Sequence, residues 1–387
     1  MIDPEPNRPR SAETRGPAGL YLHVPFCARI CPYCDFAVSR GDGAARARYV
    51  DAVEREIELR AAGQTFDTIY FGGGTPSILS PSQIAAILDR VARSARLDEP
   101  RIFLEVNPED VRESALAEWR ALGIGTLSLG IQSFEDRGLK RLGRRHRGGE
   151  ARRAVELAVA AGFATVSVDL IYGLAGQSIL EWTAQLDVAL ELGAHHLSCY
   201  QLTFHEGTPF ARGLARGSVV ELDEESQAEF FLATHDHLAT AGCPGYEVSN
   251  FARSIEHRSR HNQKYWDHTP YIGLGPSAHS FQGRRRSWNV RDWRSYVERI
   301  EHGTAPEEGG EDLDDDALAL EVVMLQLRTA EGIDLADYER RFGVDLVEVN
   351  APLLRPESGL EVVGSRLRAT RAGWPIVDGL AARLAVR

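Results

Sequence analysis

Between Leu20 and about Thr203 the chain alternates short apolar runs with stretches whose apolar residues recur at helical spacing, and this constrains the fold most. The spacing predicts strands at Leu20–Val24, Thr68–Phe71, Ile102–Val106, Thr126–Ile131, Thr165–Ile171 and His196–Leu202. It predicts helices between them at Tyr49–Ala62, Pro81–Ala95, Glu113–Leu122, Glu150–Ala161 and Leu180–Leu192. Four of these end at a glycine (Gly63, Gly123, Gly162, Gly193), the residue a left-handed C-cap prefers. Repeated strand–helix alternation means parallel strands joined by crossover helices. Six units fall short of the eight that close a full barrel, so the expected class is α/β, an open, partial (β/α)6 barrel. Functional groups gather at the C-terminal ends of such strands. The unusual residues fall there: Cys27 after the first strand, Gly72–Gly74 after the second, Glu105 closing the third, Gln132 ending the fourth and Asp169 late in the fifth.

Residues 27–36 read CARICPYCDF, a C-x3-C-x2-C spacing. A disulfide framework would spread the five cysteines, whereas three of them fall within eight residues. Thiolates are soft ligands that suit iron–sulfur clusters and zinc. Zinc wants a fourth ligand, and no Cys or His follows at zinc-finger spacing. Three ligands on one loop leave a cubane with one iron free for a small chelating molecule. Cys27, Cys31 and Cys34 are therefore read as the ligands of a [4Fe–4S] cluster. Cys199 and Cys243 are read as core residues.

Gly72-Gly73-Gly74-Thr75-Pro76 lies between a strand and a helix, and three successive glycines exceed what a turn requires. Glu105 and Asp169 interrupt apolar strands (IFLEVN, VSVDLIYG), where a carboxylate is costly unless paired or bound to a ligand. The bland alternative is a buried salt bridge, with Arg144 as the cation.

A formal net charge of −12 argues against a nucleic acid partner. The basic stretch Gly283–Arg294 (GRRRSWNVRDWR) is expected to be a solvated loop. No run reaches the roughly 18 apolar residues of a membrane helix. The opening MIDPEPNRPRSAETRGPAG lacks a signal peptide's apolar core, so a disordered lead (1–18) and a cytoplasmic location are expected. After a helix at Asp223–Ala241 the alternation breaks down, and the acidic Pro306–Asp316 is read as a linker. This divides the chain into 1–18, a core barrel 19–250, a junction 251–305 and a C-terminal domain 306–387. The last carries expected helices at Ala317–Arg328 and Leu335–Phe342 and short β-like runs, a smaller helical or winged-helix-like module.

Over roughly Leu20–Leu202 the cysteine loop and its setting resemble the radical-SAM superfamily. That resemblance implies a partial (β/α)6 barrel, a [4Fe–4S] cluster and S-adenosylmethionine, whose sulfonium the reduced cluster cleaves to a 5′-deoxyadenosyl radical. It also implies that Gly73, Gly74 and Thr75 meet the methionine amine. Glu105, Gln132, Arg144 and Asp169 together match the S-adenosylmethionine pocket of the coproporphyrinogen-oxidase-like branch. There the carboxylates face ribose and amine, and the arginine faces the carboxylate. Tyr21, Tyr33 and Thr203 match further contact positions.

Within that branch, GLYLHVPFCARICPYCDF, GGGTPS, EVNPE, SLGIQSF and DLIYGL look like the oxygen-independent coproporphyrinogen III oxidase group. The oxidase has a fourth cysteine where this chain has Phe36, and a longer segment ahead of the loop. His261-Asn262-Gln263-Lys264-Tyr265-Trp266 resembles the HNxxYW hallmark of the HemW haem-chaperone family, a likeness that extends through a HemN-type C-terminal domain. It implies haem as a ligand with His261 as axial donor, respiratory haem proteins as recipients, and a flavodoxin or ferredoxin as electron donor. Peripheral membrane association and a homodimer lie within the same expectation. The alternatives are oxidative decarboxylation of coproporphyrinogen III to protoporphyrinogen IX, which the complete pocket favours and Phe36 opposes, and radical chemistry on tRNA, which the acidic balance opposes.

Overall fold

In the computed structural model, which describes residues 16–355 and 357–387, six parallel strands lie side by side in chain order. They are β1 (Ala18–Val24), β2 (Thr65–Gly73), β3 (Arg96–Val106), β4 (Ile124–Gln132), β5 (Thr165–Tyr172) and β6 (His196–Gln201). Most of the lead assigned to 1–18 lies outside the described residues, and Ala18 already belongs to β1. Helices Gly43–Arg60, Pro81–Ser94, Glu113–Ala121, Gly148–Ala160 and Ile179–Glu191 make the crossovers. The glycines after them, Gly63, Gly123, Gly162 and Gly193, all take positive φ, between 74° and 87°.

Side-chain alternation along the strands creates two different faces. One set, including Leu22, Ile69, Leu104, Leu127 and Val168, is fully buried in the main apolar core that the helices cover. The opposite set runs across the sheet in register: Tyr21 beside Tyr70, Tyr70 beside Phe103, Glu105 beside Ser128, Asp169 beside Ser198. The barrel interior is therefore polar and aromatic, and its functional groups sit on rigid strands.

The sheet continues at both edges. β7 (Asn250–Ala252) runs antiparallel to β6. At the other edge β8 (Tyr271–Leu274) runs parallel to β1, followed by β9 (His279–Gln282), β10 (Arg285–Asn289) and β11 (Glu307–Asp312). The order is β11-β10-β9-β8-β1-β2-β3-β4-β5-β6-β7. Two sequence expectations are corrected here. The acidic stretch expected as a linker is β11, and part of the basic stretch expected as a loop is β10. The reason is charge complementarity across the pair: Arg285 meets Glu307 at 2.6 Å and Arg286 meets Glu311 at 3.2 Å.

Glu56, fully buried on helix Gly43–Arg60, ties this extension to the barrel. It accepts hydrogen bonds from Tyr296 (2.6 Å), Asn289 (2.7 Å) and the Gly275 backbone N–H (2.8 Å), and pairs with Arg60 at 2.9 Å.

Beyond β11, helix Asp315–Gln326 opens a module with its own core, built on Val322, Val323, Leu327, Tyr338 and Leu367. Its sheet joins β12 (Ile333–Asp334), β13 (Leu360–Val363) and β14 (Arg366–Ala369) in the order β12-β14-β13, a winged-helix-like arrangement with helix Leu335–Phe342. Among the described residues no helix is long and apolar enough to cross a membrane.

Candidate cofactor site

The loop after β1 carries Cys27, Cys31 and Cys34, all free and half-buried, onto the wall of a cavity of about 380 Å³ at the C-terminal ends of the strands. Burial pushes the Cys27 thiol up to about 11 and raises that of Cys34. Among the described residues, no three His, Cys, Asp or Glu converge as a single-ion site requires. Three thiols on one open loop instead suit a cluster, whose thiolates bind separate irons.

Backbone is drawn close beneath these sulfurs. A methyl group added at Gly74 would lie 3.0 Å from Cys27 Sγ and 2.8 Å from the Phe26 carbonyl oxygen, so only glycine fits there. Thr75, buried, donates to Cys27 Sγ at 3.4 Å and accepts from Asn107 Nδ2 at 3.2 Å. Asn107 Oδ1 in turn accepts from Arg144 at 2.8 Å, and the same guanidinium bonds the Gly130 carbonyl at 2.8 Å and approaches Cys31 Sγ at 3.5 Å. One polar chain thus runs from Arg144 to the first cysteine. Asn107 was not singled out in the sequence, although it follows the third strand directly, where its position alone could have flagged it.

Deeper in the cavity stand Glu105 and Asp169, each half-buried. Glu105 accepts from Tyr70 at 2.9 Å and the Gly73 backbone N–H at 3.2 Å. Asp169 accepts from Ser128 at 3.0 Å. Desolvation, reinforced by the charge of Asp169, pushes the Glu105 carboxyl up to about 8, and desolvation pushes Asp169 up to about 6. Neither forms an ion pair among the described residues, so the alternative of a structural salt bridge with Arg144 does not occur. Two carboxyls in a low-dielectric cavity that form no ion pair among the described residues favour a positively charged ligand.

Gln132, at the end of β4, lines the same cavity and holds φ at +64° beside an irregularity in the β4–β5 pairing. A non-glycine residue in that region costs about 1–3 kcal/mol, and such strain clusters at ligand sites. Tyr33 and the exposed Thr203 also line the cavity, as do Gly73, Gly74 and Thr75. The structure therefore brings together all but one of the residues that the sequence assigned to the cluster and S-adenosylmethionine.

The exception is Tyr21, and His261, which the family likeness assigned to haem, also lies outside this cavity. Tyr21 faces a neighbouring cavity and shares a 3.2 Å hydrogen bond with His23 Nδ1. His261 is only 1% exposed and lines neither cavity. Its Nδ1 meets Thr68 Oγ1 at 2.9 Å and its Nε2 meets Tyr265 OH at 2.9 Å. Both ring nitrogens are hydrogen-bonded and burial lowers the pKa to about 3, so the imidazole is neutral. On helix Arg260–Trp266 the histidine packs against β1 and β2.

Comparison with known proteins agrees with this layout. The family described as "Radical SAM superfamily" matches residues 21–187, and "HemN C-terminal domain" matches 313–376. "Heme chaperone HemW" of Mycobacterium tuberculosis (strain ATCC 25618 / H37Rv) is 37% identical over 371 residues, 94% of each chain. "Heme chaperone HemW" of Escherichia coli (strain K12) is 37% identical over 268 residues, 68% of this chain and 70% of the relative. "Radical S-adenosyl methionine domain-containing protein 1, mitochondrial" of Mus musculus is 36% identical over 315 residues, 78% of this chain and 71% of the relative. The solved structure of coproporphyrinogen III oxidase (HemN) from Escherichia coli superposes with a TM-score of 0.81 at 23% identity, over 95% of this chain and 89% of that one, a likeness of fold. The chain belongs to the HemW family of the radical-SAM superfamily.

Proposed function

We propose that this protein is a haem chaperone that holds a [4Fe–4S] cluster on Cys27, Cys31 and Cys34, binds S-adenosylmethionine beside it, and passes haem to respiratory haem proteins. The observation that carries the cofactor half is the pair Glu105 and Asp169, two carboxyls that form no ion pair among the described residues and line the same cavity as the three thiols. A sulfonium or ammonium ligand supplies the missing charge, and Arg144 offers its remaining N–H groups to a ligand carboxylate. Gly73, Gly74 and Thr75 supply close backbone approach, while Gln132, Tyr33 and Thr203 shape the walls. With cluster and ligand bound, the site has the means for one-electron cleavage of the sulfonium. Support for the haem half is the identity to the chaperones over nearly the whole length.

Decarboxylation of coproporphyrinogen III is the second reading, favoured by the completeness of this pocket. Phe36, 60% exposed at the cavity edge where the oxidase resemblance calls for a cysteine, weighs against it. Anaerobic turnover of the reconstituted protein with dithionite, S-adenosylmethionine and coproporphyrinogen III separates the two, with products read by mass spectrometry. The chaperone reading expects no catalytic protoporphyrinogen, together with haem binding and transfer to a haem-free respiratory acceptor. Catalytic protoporphyrinogen overturns it. Replacing Cys27, Cys31 or Cys34 with Ala should abolish the cluster's absorbance, and a retained cluster in all three refutes the ligand assignment.

A further inference from the structure

A smaller cavity, of about 60 Å³, lies beneath the first, toward the N-terminal ends of the strands, and Glu105, Ser128, Asp169 and Tyr200 line both. The carboxyl pair is therefore a partition with space on each side. The interior of a parallel α/β barrel is ordinarily filled by layers of branched apolar side chains. Here it carries hydroxyls instead. The inward positions of β5 read Thr165, Ser167 and Asp169, while β4 sets Thr126 beside Thr165 and β6 sets Ser198 beside Asp169. A buried polar group without a partner is costly. Thr126 Oγ1 and Asn250 Oδ1 are two such groups: their residues are 6% and 5% exposed, they line this cavity, and neither atom has a hydrogen-bond partner among the described residues. A polar space of this size takes a few waters and is too small for a metabolite.

The far end is closed by the segment whose motif the upper site leaves unused. Asn262, from the run His261–Trp266, lines the cavity there with Ser259 and the half-buried His257. His257 Nδ1 meets Thr165 Oγ1 at 3.0 Å, and its Nε2 makes no hydrogen bond among the described residues. At the near end Tyr70 lines the cavity, and its hydroxyl meets Glu105 Oε1 at 2.9 Å. We propose that this cavity is a hydrated proton exit: when a cationic ligand seats above the partition, the proton that leaves Glu105 passes through Tyr70, the cavity waters and Thr165 to His257, and out to solvent. The inference rests on S-adenosylmethionine binding in the first cavity. Each step exchanges one proton. Glu105 gives its proton to the Tyr70 oxygen while the Tyr70 hydroxyl, turned towards the cavity, gives its own to a water. The waters protonate the Thr165 oxygen, the Thr165 hydroxyl proton goes to His257 Nδ1, and a proton leaves His257 Nε2 for bulk water. Only the carboxyl changes charge. Burial holds the Tyr70 phenol well above its usual range. Desolvation, with Arg101 and Arg253 nearby, lowers the pKa of His257 against the opposing charge of Glu256, so neither group keeps the proton. The upper route is shut at that moment, because the ligand covers that side of the carboxyl.

The test mixes S-adenosylmethionine rapidly with the anaerobically reconstituted, cluster-loaded protein in weak buffer. Binding is followed by rapid filtration with labelled S-adenosylmethionine, and proton release by a pH dye. In wild type the two should coincide. Thr165→Val and His257→Phe break the line at its far end, away from the ligand. Each should keep wild-type affinity and release the same number of protons at equilibrium, yet release should lag binding by tenfold or more. A high-resolution crystal structure of the unliganded wild type should show waters bonded to Thr126 Oγ1 and Asn250 Oδ1. A dry cavity, wild-type binding without proton release, or release that keeps pace with binding in both variants overturns the proton exit while S-adenosylmethionine binding stands. If wild type binds no S-adenosylmethionine, both fall.

Discussion

Glu105 holds a proton that a cationic ligand must expel. Its carboxyl sits at about 8, raised by desolvation and by Asp169, against 4.5 for a free side chain. About nine-tenths of it is therefore neutral at pH 7 in the unliganded protein. A sulfonium or ammonium placed against it favours the ionised form. Binding of S-adenosylmethionine at pH 7 should then release close to one proton, and affinity should rise by up to about tenfold per pH unit from pH 6 towards 8 before levelling off. Asp169, raised only to about 6, is mostly ionised at pH 7, so the slope above neutrality belongs to Glu105. Stability of the unliganded fold has the opposite sense. The folded value lies above the unfolded one, so the stabilisation is complete below about pH 4.5 and is lost as pH rises through 8. At about 1.4 kcal/mol per unit the loss reaches at most about 5 kcal/mol, and less where cavity water screens the group. Glu105→Gln keeps the shape and stays neutral. It should flatten the pH dependence of unliganded denaturant unfolding between pH 7 and 9, and leave weaker S-adenosylmethionine binding without a pH slope above neutrality, where Asp169 is already ionised. Calorimetry in two buffers of different ionisation enthalpy counts the protons. A wild type that releases none, or a Glu105→Gln variant that keeps the wild-type slope, refutes the electrostatic reading of this site.

Two further outcomes follow from the geometry. Gly74→Ala places a methyl group 2.8 Å from the Phe26 carbonyl oxygen and 3.0 Å from Cys27 Sγ, so the cysteine loop must shift; iron and sulfide content should drop sharply while far-ultraviolet circular dichroism stays native. Glu56→Ala removes the buried carboxylate shared by Arg60, Tyr296, Asn289 and the Gly275 N–H, and should lower the unfolding free energy by about 3–5 kcal/mol in denaturant titration.

The parts of the fold that were legible in the sequence are those with local causes. Five barrel strands were found to within three residues because their outward faces are apolar enough to mark a run, while the charged first half of β3, Arg96–Arg101, was missed; each crossover helix was found because its buried stripe recurs at 3.6. The C-terminal ends of those strands then named most of the cavity wall, since a carboxylate in an apolar run has few other reasons to exist. What the sequence hid depends on pairings far apart in the chain. β10 and β11 looked like a loop and a linker because each carries a run of like charges, and only opposite each other do Arg285 and Asp312, or Arg286 and Glu311, become a ladder. His261 shows the same limit in the site. Its motif shows a histidine between aromatics, but not that Thr68, almost 200 residues earlier, meets one ring nitrogen while Tyr265 meets the other.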